Sequence, residues 1–315
     1  MKIVSLFSGA GGLDCGLIQA GHEIIWANDF DKDCVDTYRL NIGDHIHFGS
    51  IEDIPSDQIP ECDVVVGGFP CQGFSQANLL RFEADERNRL YLEFLRVIKD
   101  KQPKWFLAEN VRGILSLAGG AAIQKIESDF AMAGYRVRKQ LFNTADYGVP
   151  QTRKRVIIAG TRKDIPESSD YIFPDPTHDK NGRANLEKWI SVGSALENIP
   201  EPDDQHALVD HIFSKYKVTN RNFTGHRTTD PNKPSPTILA RGNGKGGVCA
   251  LQHPKNHRRM TIREQAVLQT FPLDFKFSGK MNSCYRQVGN AVPVMFGRRL
   301  GEQLGIIKLL DRVAS

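Results

Sequence analysis

The first 165 residues alternate short apolar runs with segments whose apolar residues recur at helical spacing, and this alternation constrains the fold most strongly. It is typical of an α/β fold with a doubly wound, mostly parallel sheet, because parallel strands are joined by helices that cover both faces. Buried strands are predicted over residues 3–7, 23–28, 62–66 and 105–108.

Helical segments and a hairpin complete this pattern. Apolar spacing predicts helices over residues 12–20, 32–40 and 89–99. A further strand over residues 155–160 can pair with residues 136–142 as a hairpin.

The composition changes near residue 173 to one rich in Pro, Gly, Asn and charge, with few periodic stretches, among them residues 262–268. Residues 285–313 then recover a helical pattern, so we expect the chain to return to its first domain. We predict a large domain of residues 1–172 plus 283–315 and a smaller, irregular domain of residues 173–282.

Positive charge is concentrated in the smaller domain. The chain has a formal charge of +4, yet residues 174–282 hold 16 Lys and Arg against 11 Asp and Glu. Between His211 and Arg263 there are 11 basic residues and one acid, Asp230. Although such a stretch is often only a solvated face, this one adjoins Gly-rich and Pro-rich sequence, which favours a polyanionic partner.

Membrane and disulfide signals are lacking in the sequence. It contains no apolar run of about 18 residues and no signal-peptide pattern at its start, so we expect a soluble, cytoplasmic protein without membrane contact. The six cysteines include no Cys-x-x-Cys pair, which favours reduced thiols.

Glycines follow the first strand, at positions 9, 11 and 12, where they permit a tight turn and close approach of a nucleotide-like ligand. Asp14 replaces the third glycine of the dinucleotide fingerprint, and such a turn is often no more than a turn. Twenty residues after Gly9, Asp29 and Phe30 end the second strand, where a carboxylate can accept ribose hydroxyls and a ring can cover an adenine. Together these features predict a nucleoside-containing cofactor.

Reactive groups follow two further strands. Cys71 stands between Pro70 and Gly73 at the carboxyl end of a strand, which favours an exposed, positioned thiol over an inert one. Glu109 follows the next strand and is expected at the same edge of the sheet. Arginines 153 and 155 precede another strand, where they are either phosphate contacts or a charged strand edge.

Six blocks, in order, resemble the cytosine-5 DNA methyltransferase family over nearly the whole chain. They are Phe-Ser-Gly-Ala-Gly-Gly at 7–12, Gly-Phe-Pro-Cys-Gln at 68–72, Glu-Asn-Val at 109–111, Gln-Thr-Arg-Lys-Arg at 151–155, Arg-Glu at 263–264 and Gly-Asn-Ala-Val-Pro at 289–293.

The resemblance implies the S-adenosylmethionine-dependent methyltransferase fold and methyl transfer from that cofactor to carbon 5 of a cytosine flipped out of double-stranded DNA. Cys71 would add to carbon 6 of the ring. Glu109 would hold nitrogen 3 and the exocyclic amine, in a protonated form that a desolvated pocket favours. Arg153 matches the arginine that contacts the base oxygen.

The resemblance also implies a set of site residues. Those expected to act in catalysis are Cys71, Gln72, Glu109, Arg153 and Arg155. Those expected to bind S-adenosylmethionine, and its product S-adenosylhomocysteine, are Phe7, Gly9, Gly11, Gly12, Asp29, Phe30, Ile51, Pro70, Asn290 and Val292. Those expected to bind DNA are Ser75, Arg87, Thr237, Arg241 and Arg263, with residues 76–89 as a closing loop.

One position departs from the family pattern, and a separate group of residues has side chains that can bind a metal ion. Ser50 stands where many relatives have an Asp that contacts the adenine amine. Cys249, His253 and His257 are spaced by four, but Pro254 disfavours the helix that would align them, so we expect no metal.

The motifs fit both an enzyme of a restriction-modification system and one of the solitary type. We expect a monomer, and a cognate restriction endonuclease would act in the same system without direct contact. The protein could equally be of the solitary type.

Three alternatives remain. A related branch of the family methylates transfer RNA and carries a Cys-Phe-Thr segment, where this chain has Asn222 before Phe and Thr. A catalytically silent DNA-binding scaffold should have lost Cys71 or Glu109. A nucleotide-dependent oxidoreductase would leave the Gly-Phe-Pro-Cys-Gln and Glu-Asn-Val blocks unexplained.

Overall fold

The computed structural model of the protein describes residues 1–69, 89–183, 185–205, 207–215, 226–240, 250–255 and 258–314. The strands are β1 (Lys2–Leu6), β2 (Glu23–Asp29), β3 (Ile46–Phe48), β4 (Val64–Gly67), β5 (Trp105–Val111), β6 (Tyr135–Asn143), β7 (Gln151–Thr152), β8 (Lys154–Arg162), β9 (His178–Asp179), β10 (Glu187–Lys188), β11 (His226–Thr228), β12 (Ser235–Pro236) and β13 (Ala250–Gln252). The α-helices are α1 (Gly12–Gln19), α2 (Lys32–Asn41), α3 (Arg89–Lys101), α4 (Ala121–Met132), α5 (Val192–Ala195), α6 (Ile262–Leu268), α7 (Met281–Asn290) and α8 (Val294–Ala314). Short 3₁₀ turns lie at Ile51–Asp53, Ser56–Gln58, Arg112–Leu115, Leu117–Gly120, Thr144–Tyr147 and Glu167–Ser169.

Seven strands form one sheet in the order β3-β2-β1-β4-β5-β8-β6. The first five are parallel, whereas β8 runs antiparallel to both β5 and β6. This confirms the predicted α/β fold, the mostly parallel sheet and the hairpin. Because Val111 at the end of β5 faces Arg155 at the start of β8, the parallel strands end where β8 begins. We call this side of the sheet the carboxyl edge.

Helix α3 shows why these segments bury one face. Its buried residues Tyr91, Phe94, Leu95 and Ile98 recur at the spacing of a helix stripe. The ring of Phe94 packs against neighbouring aromatic rings, with centroids 5.5 Å from Phe69 and 6.1 Å from Phe106. These aromatic contacts therefore hold α3 against the face of the sheet formed by β4 and β5.

The C-terminal segment returns to the large domain through close backbone contact between α1 and α8. A Cβ at Gly16 would lie 2.3 Å from the carbonyl oxygen of Val294, so no side chain fits there. The predicted helical segment of residues 285–313 is in fact two helices. They are separated at Pro293, because proline disfavours helical backbone at the residue before it.

The smaller region shares a hydrophobic core with the C-terminal helices. Ile238, Met260 and Ile262 cluster with Tyr285 and Val288 of α7. The division at residues 172 and 283 thus stays a prediction, since packing crosses it. Along the part of the chain that the structure describes, no helix has the length and apolar character needed to cross a membrane.

Candidate active site

The turn after β1 is shaped by left-handed backbone at Phe7 (φ 56°), Gly9 (φ 55°) and Gly11 (φ 83°). Gly9 donates its N–H to Asp29 Oδ2 at 2.8 Å. A Cβ on Gly9 would meet nothing within 4 Å, so the turn opens to space at this residue. Left-handed backbone combined with open space suits the approach of a ligand.

Gly11 and Gly12 meet a different requirement. A Cβ at Gly12 would lie 2.4 Å from the Val292 carbonyl oxygen, and one at Gly11 would lie 2.3 Å from Ile42 Cδ1. Gly12 is therefore needed because main chain fills the space, whereas Gly11 is needed above all for its left-handed backbone. Contact of Gly12 and Val292 with a cofactor stays a prediction.

Asp29 and Phe30 occupy the end of β2 as expected. Asp29 is buried, and its Oδ1 accepts the N–H of Asp31 at 2.8 Å while Oδ2 takes that of Gly9. Burial raises the pKa of Asp29, against the effect of these N–H donors. Phe30 is 65% exposed, which is unusual for so large an apolar side chain.

Three further residues are predicted to bind the cofactor: Ile51, Pro70 and Asn290. Ile51 is buried and begins a 3₁₀ turn whose N-cap is Ser50, with Ser50 Oγ accepting the Glu52 N–H. Asn290 is exposed at the end of α7. Pro70 lies outside the described residues.

Glu109 forms an ion pair with Arg155 at the carboxyl edge. Arg155 Nε lies 2.5 Å from Glu109 Oε1, and both side chains are less than one-sixth exposed. The two atoms are close without the alignment of a hydrogen bond, and neither has a hydrogen-bond partner among the described residues. A Cβ at Gly68, just after β4, would lie 3.1 Å from Glu109 Oε2.

Asn110 anchors the chain that leads to Cys71. Its buried Nδ2 donates to the Phe69 carbonyl oxygen at 3.0 Å. The ring of Phe69 is also fixed, with its centroid 5.3 Å from that of Tyr91. The chain is thus held two residues before Cys71, which itself lies outside the described residues.

Like Cys71, several other predicted site residues lie outside the described ranges. The residues outside the described ranges are Cys71, Gln72, Ser75, Arg87, Arg241, Cys249 and His257, together with Asn222 and most of loop 76–89. Their roles stay predictions.

Arg153 is hydrogen-bonded to main-chain oxygen atoms, and the guanidinium that pairs with Glu109 is that of Arg155. Arg153 is 1% exposed, and its Nη1 donates to the carbonyl oxygens of Ile238 and Gly289, both at 3.0 Å. Burial, together with the Arg155 charge, lowers the pKa of Arg153 to about 9, against the attraction of Glu109. The geometry corrects the expectation, because the guanidinium beside Glu109 belongs to Arg155.

The two described DNA-binding candidates differ. Thr237 is half-buried and donates its hydroxyl hydrogen to the Thr152 carbonyl oxygen at 2.9 Å. Arg263 is fully buried and donates to the carbonyl oxygens of Val209, Pro272 and Phe275. This corrects the expectation that Arg263 binds DNA, because no part of its guanidinium can reach a phosphate or a base.

Sequence reasoning missed Asn110 and Gln151 as structural parts of the site. Gln151 is fully buried, and its Oε1 accepts the Ile238 N–H at 2.9 Å. A buried polar side chain needs a partner. The signal available in the sequence was the position of both residues inside the blocks at 109–111 and 151–155.

The geometry agrees with the comparisons to known proteins. The family model described as C-5 cytosine-specific DNA methylase matches residues 1–305. The chain belongs to this family. The protein is therefore a DNA cytosine-5-methyltransferase.

Relatives of this cytosine-5-methyltransferase include two named Type II methyltransferases. M.NgoFVII of Neisseria gonorrhoeae is 42% identical over 316 residues, covering 93% of this chain and 83% of the relative. M.FnuDI of Fusobacterium nucleatum is 37% identical over 334 residues, covering 96% of this chain and 95% of the relative.

Solved structures share the fold of this cytosine-5-methyltransferase. The S. pombe Dnmt2 methyltransferase matches with a TM-score of 0.71 and 19% identity over 100% of both chains. The Entamoeba histolytica methyltransferase EhMeth matches with a TM-score of 0.71 and 17% identity, covering 96% of this chain and 97% of that one. Within the described ranges, no three His, Cys, Asp or Glu side chains group as metal ligands.

Proposed function

We propose that this methyltransferase moves a methyl group from S-adenosylmethionine to carbon 5 of a cytosine flipped out of double-stranded DNA, through a covalent bond to Cys71. The observation that carries the proposal is the Glu109–Arg155 ion pair at the carboxyl edge. It lies beside Gly68, in the segment that leads to Cys71. A thiol, a carboxyl group and a guanidinium can therefore converge on one pyrimidine ring.

The first step makes carbon 5 nucleophilic. The Cys71 thiolate forms a bond to carbon 6, and the ring electrons move toward nitrogen 3 and the base oxygen. Glu109, which must be in its protonated form for this step, delivers a proton to nitrogen 3, while Arg155 stabilises the charge on the oxygen. We give this second role to Arg155, because Arg153 is occupied by main-chain carbonyl oxygens.

The second step transfers the methyl group and restores the ring. When bound, S-adenosylmethionine supplies an electrophilic methyl group on a sulfonium and leaves as S-adenosylhomocysteine. As carbon 5 takes the methyl group, the nitrogen 3 proton returns to Glu109, and a base then removes the carbon 5 proton. Those electrons rebuild the double bond as the carbon 6–sulfur bond breaks and Cys71 leaves as thiolate.

The cofactor residues fit S-adenosylmethionine. The open space at Gly9 admits the ligand, and the Asp29 carboxylate, with about four lone-pair sites, can accept a ribose hydroxyl besides its backbone N–H donors. The exposed Phe30 ring gives an adenine a surface to cover. Ser50 can accept a hydrogen bond in place of the usual Asp.

The substrate is proposed to be bound by the smaller domain, residues 173–282, with Thr237 and Arg241 near the target. Its excess of basic residues suits the phosphate backbone. Flipping the cytosine costs about a few kcal/mol, which contacts to the displaced strands must offset. One chain supplies all these parts, so we propose that it acts as a monomer without contact to an endonuclease.

Two assays test the proposal. Methyl-labelled S-adenosylmethionine is incubated with mixed-sequence duplex DNA or with total transfer RNA, and the labelled nucleoside is identified. Label in 5-methylcytosine from DNA is expected. Label in RNA alone would favour the transfer RNA branch, and no label in either would refute the activity.

Covalent chemistry is tested with duplex DNA containing 5-fluorocytosine. Fluorine at carbon 5 leaves no proton to remove, so the Cys71 adduct should persist through denaturing electrophoresis. Cys71→Ala should bind DNA yet form no adduct and transfer no label. Substantial turnover by this variant would refute Cys71 as the nucleophile.

A further inference from the structure

Arg153 joins three segments that are far apart in the chain. Its Nη1 donates to the carbonyl oxygens of Ile238 and Gly289, and its Nη2 donates to that of Asn290 at 3.3 Å. All three acceptors are main-chain atoms. Because the guanidinium is planar and its donors are fixed, it sets the distance between these segments.

We call residues 235–240 the docked segment. Besides Arg153, residues next to it in the chain also bind this segment. Thr152 Oγ1 donates to the Ser235 carbonyl oxygen at 3.1 Å, and Thr237 Oγ1 donates to the Thr152 carbonyl oxygen. The short strands β7 and β12 pair in parallel between them. Successive residues of 151–153 therefore bind successive residues of the docked segment.

The opposite side of the docked segment is closed by Gly289. A Cβ there would lie 2.6 Å from the Ala240 nitrogen and 2.6 Å from the Leu239 carbonyl carbon. These are main-chain atoms, so the docked segment cannot shift toward α7 without moving the helix. Its position is tightly coupled to residues 151–153 and to Gly289.

The same stretch of chain continues to the reacting groups. Two residues after Arg153, Arg155 pairs with Glu109. If the docked segment moved, its hydrogen bond to Arg153 would move that residue too. The start of β8, which contains Arg155, would then shift. The docked segment also precedes residue 241, in the basic part of the smaller domain.

We propose that Arg153 is a positioning residue that couples the fit of the docked segment on DNA to the geometry of the Glu109–Arg155 pair. When the smaller domain binds its preferred DNA site, the Glu109–Arg155 pair adopts the geometry needed for catalysis. When the domain binds another sequence, the pair stays displaced from that geometry. The inference rests on the proposed function. It makes Arg153 a determinant of sequence discrimination without any contact to a base.

Arg263 provides a matched control for a merely structural role. It too is buried and donates hydrogen bonds to main-chain carbonyl oxygens, but these belong to Val209, Pro272 and Phe275, and its Nη2 also lies 3.7 Å from Asp210 Oδ2. If burial of a guanidinium were all that mattered, Arg153→Lys and Arg263→Lys would behave alike. Both would lower thermal stability and leave discrimination unchanged.

The experiment compares wild-type protein, Arg153→Lys and Arg263→Lys on a randomised duplex pool, with methylated sites read by bisulfite sequencing. The wild type defines the preferred site. For each protein, kcat and KM are then measured on that site and on the same site with one base pair changed. The ratio of the two kcat/KM values is the discrimination ratio.

For Arg153→Lys we expect kcat on the preferred site and the discrimination ratio each to fall about tenfold, with the KM for S-adenosylmethionine unchanged. For Arg263→Lys we expect the wild-type ratio. A wild-type ratio in Arg153→Lys, or an equal loss in Arg263→Lys, would overturn the inference.

If Arg153→Lys does not fold, a second variant tests whether the docked segment controls sequence discrimination. Thr152→Val removes only the hydrogen bond to Ser235 and nearly conserves volume. It should lower the discrimination ratio, and a wild-type ratio would again overturn the inference. Failure of the proposed function would appear separately, as absence of 5-methylcytosine in the wild-type reaction.

Discussion

Arg155 Nε lies 2.5 Å from Glu109 Oε1 across the two strands β5 and β8. The pair brings a carboxyl group and a cation within reach of one ring without a perfect hydrogen bond between them. Such a pair can exchange its mutual contact for contacts to a substrate. It is therefore the natural first target for mutation.

Glu109→Gln keeps the shape of the side chain but removes the proton donor and the charge. We expect the single-turnover rate of methyl transfer to fall on the order of 10²- to 10⁴-fold, the usual contribution of a positioned acid. Glu127→Gln, which breaks the surface ion pair with Lys139, is the control and should keep the wild-type rate. A wild-type rate in Glu109→Gln would remove Glu109 from the mechanism.

Asp14 should give the protein a pH-dependent stability. It is fully buried beneath the glycine turn, where it accepts hydrogen bonds from Ser5 Oγ at 2.7 Å and Tyr38 OH at 2.9 Å. Burial raises the pKa of Asp14 from 3.8 to about 6. Between about pH 4 and pH 6 the folded state therefore binds more protons than the unfolded state.

The sign follows from this difference. The free energy of unfolding should fall as pH rises from about 4 to 6, by on the order of 3 kcal/mol from this group. Asp14→Asn cannot titrate, so its unfolding free energy minus that of the wild type should rise over the same interval. Urea denaturation across this pH range measures the difference, and a flat difference would contradict the assignment.

Gly289→Ala tests the tight passage of the docked segment. The added methyl group would collide with the main chain at Leu239 and Ala240, so we expect a loss of roughly 1–3 kcal/mol in unfolding free energy. Gly305→Ala, in α8, is the matched control, since nothing lies within 4 Å of its Cβ. It should stabilise the helix by about 0.5–1 kcal/mol, and thermal denaturation of both variants checks the contrast.

Phe30→Ala tests the adenine surface. Because the ring is 65% exposed, its removal should change the melting temperature little. The Kd for S-adenosylmethionine, measured by calorimetry, should rise about tenfold from the loss of a stacking surface. Met132→Ala, at a 73% exposed side chain ending α4, should leave both quantities unchanged, and an unchanged Kd in Phe30→Ala would separate Phe30 from the cofactor.

Local patterns account for much of the fold. Helix α6 coincides with the periodic stretch of residues 262–268, and the Thr261 and Glu264 side chains form a capping box at its start. The strand β3 was missed, since it is short and only Ile46 of its three residues is buried. Helix α4 was missed as well, although its buried residues Ile123, Ile126 and Phe130 follow helical spacing.

The sequence alone determined the α/β class, the glycine turn at Gly9 and the family, because apolar periodicity and motifs are carried by near neighbours in the chain. Tertiary structure alone decided which arginine faces Glu109. Arg153 finds its acceptors Ile238 and Gly289 at separations of 85 and 136 positions, and no local spacing encodes such contacts. The fully buried Arg263 was decided in the same way, because burial depends on which distant segments pack around a side chain.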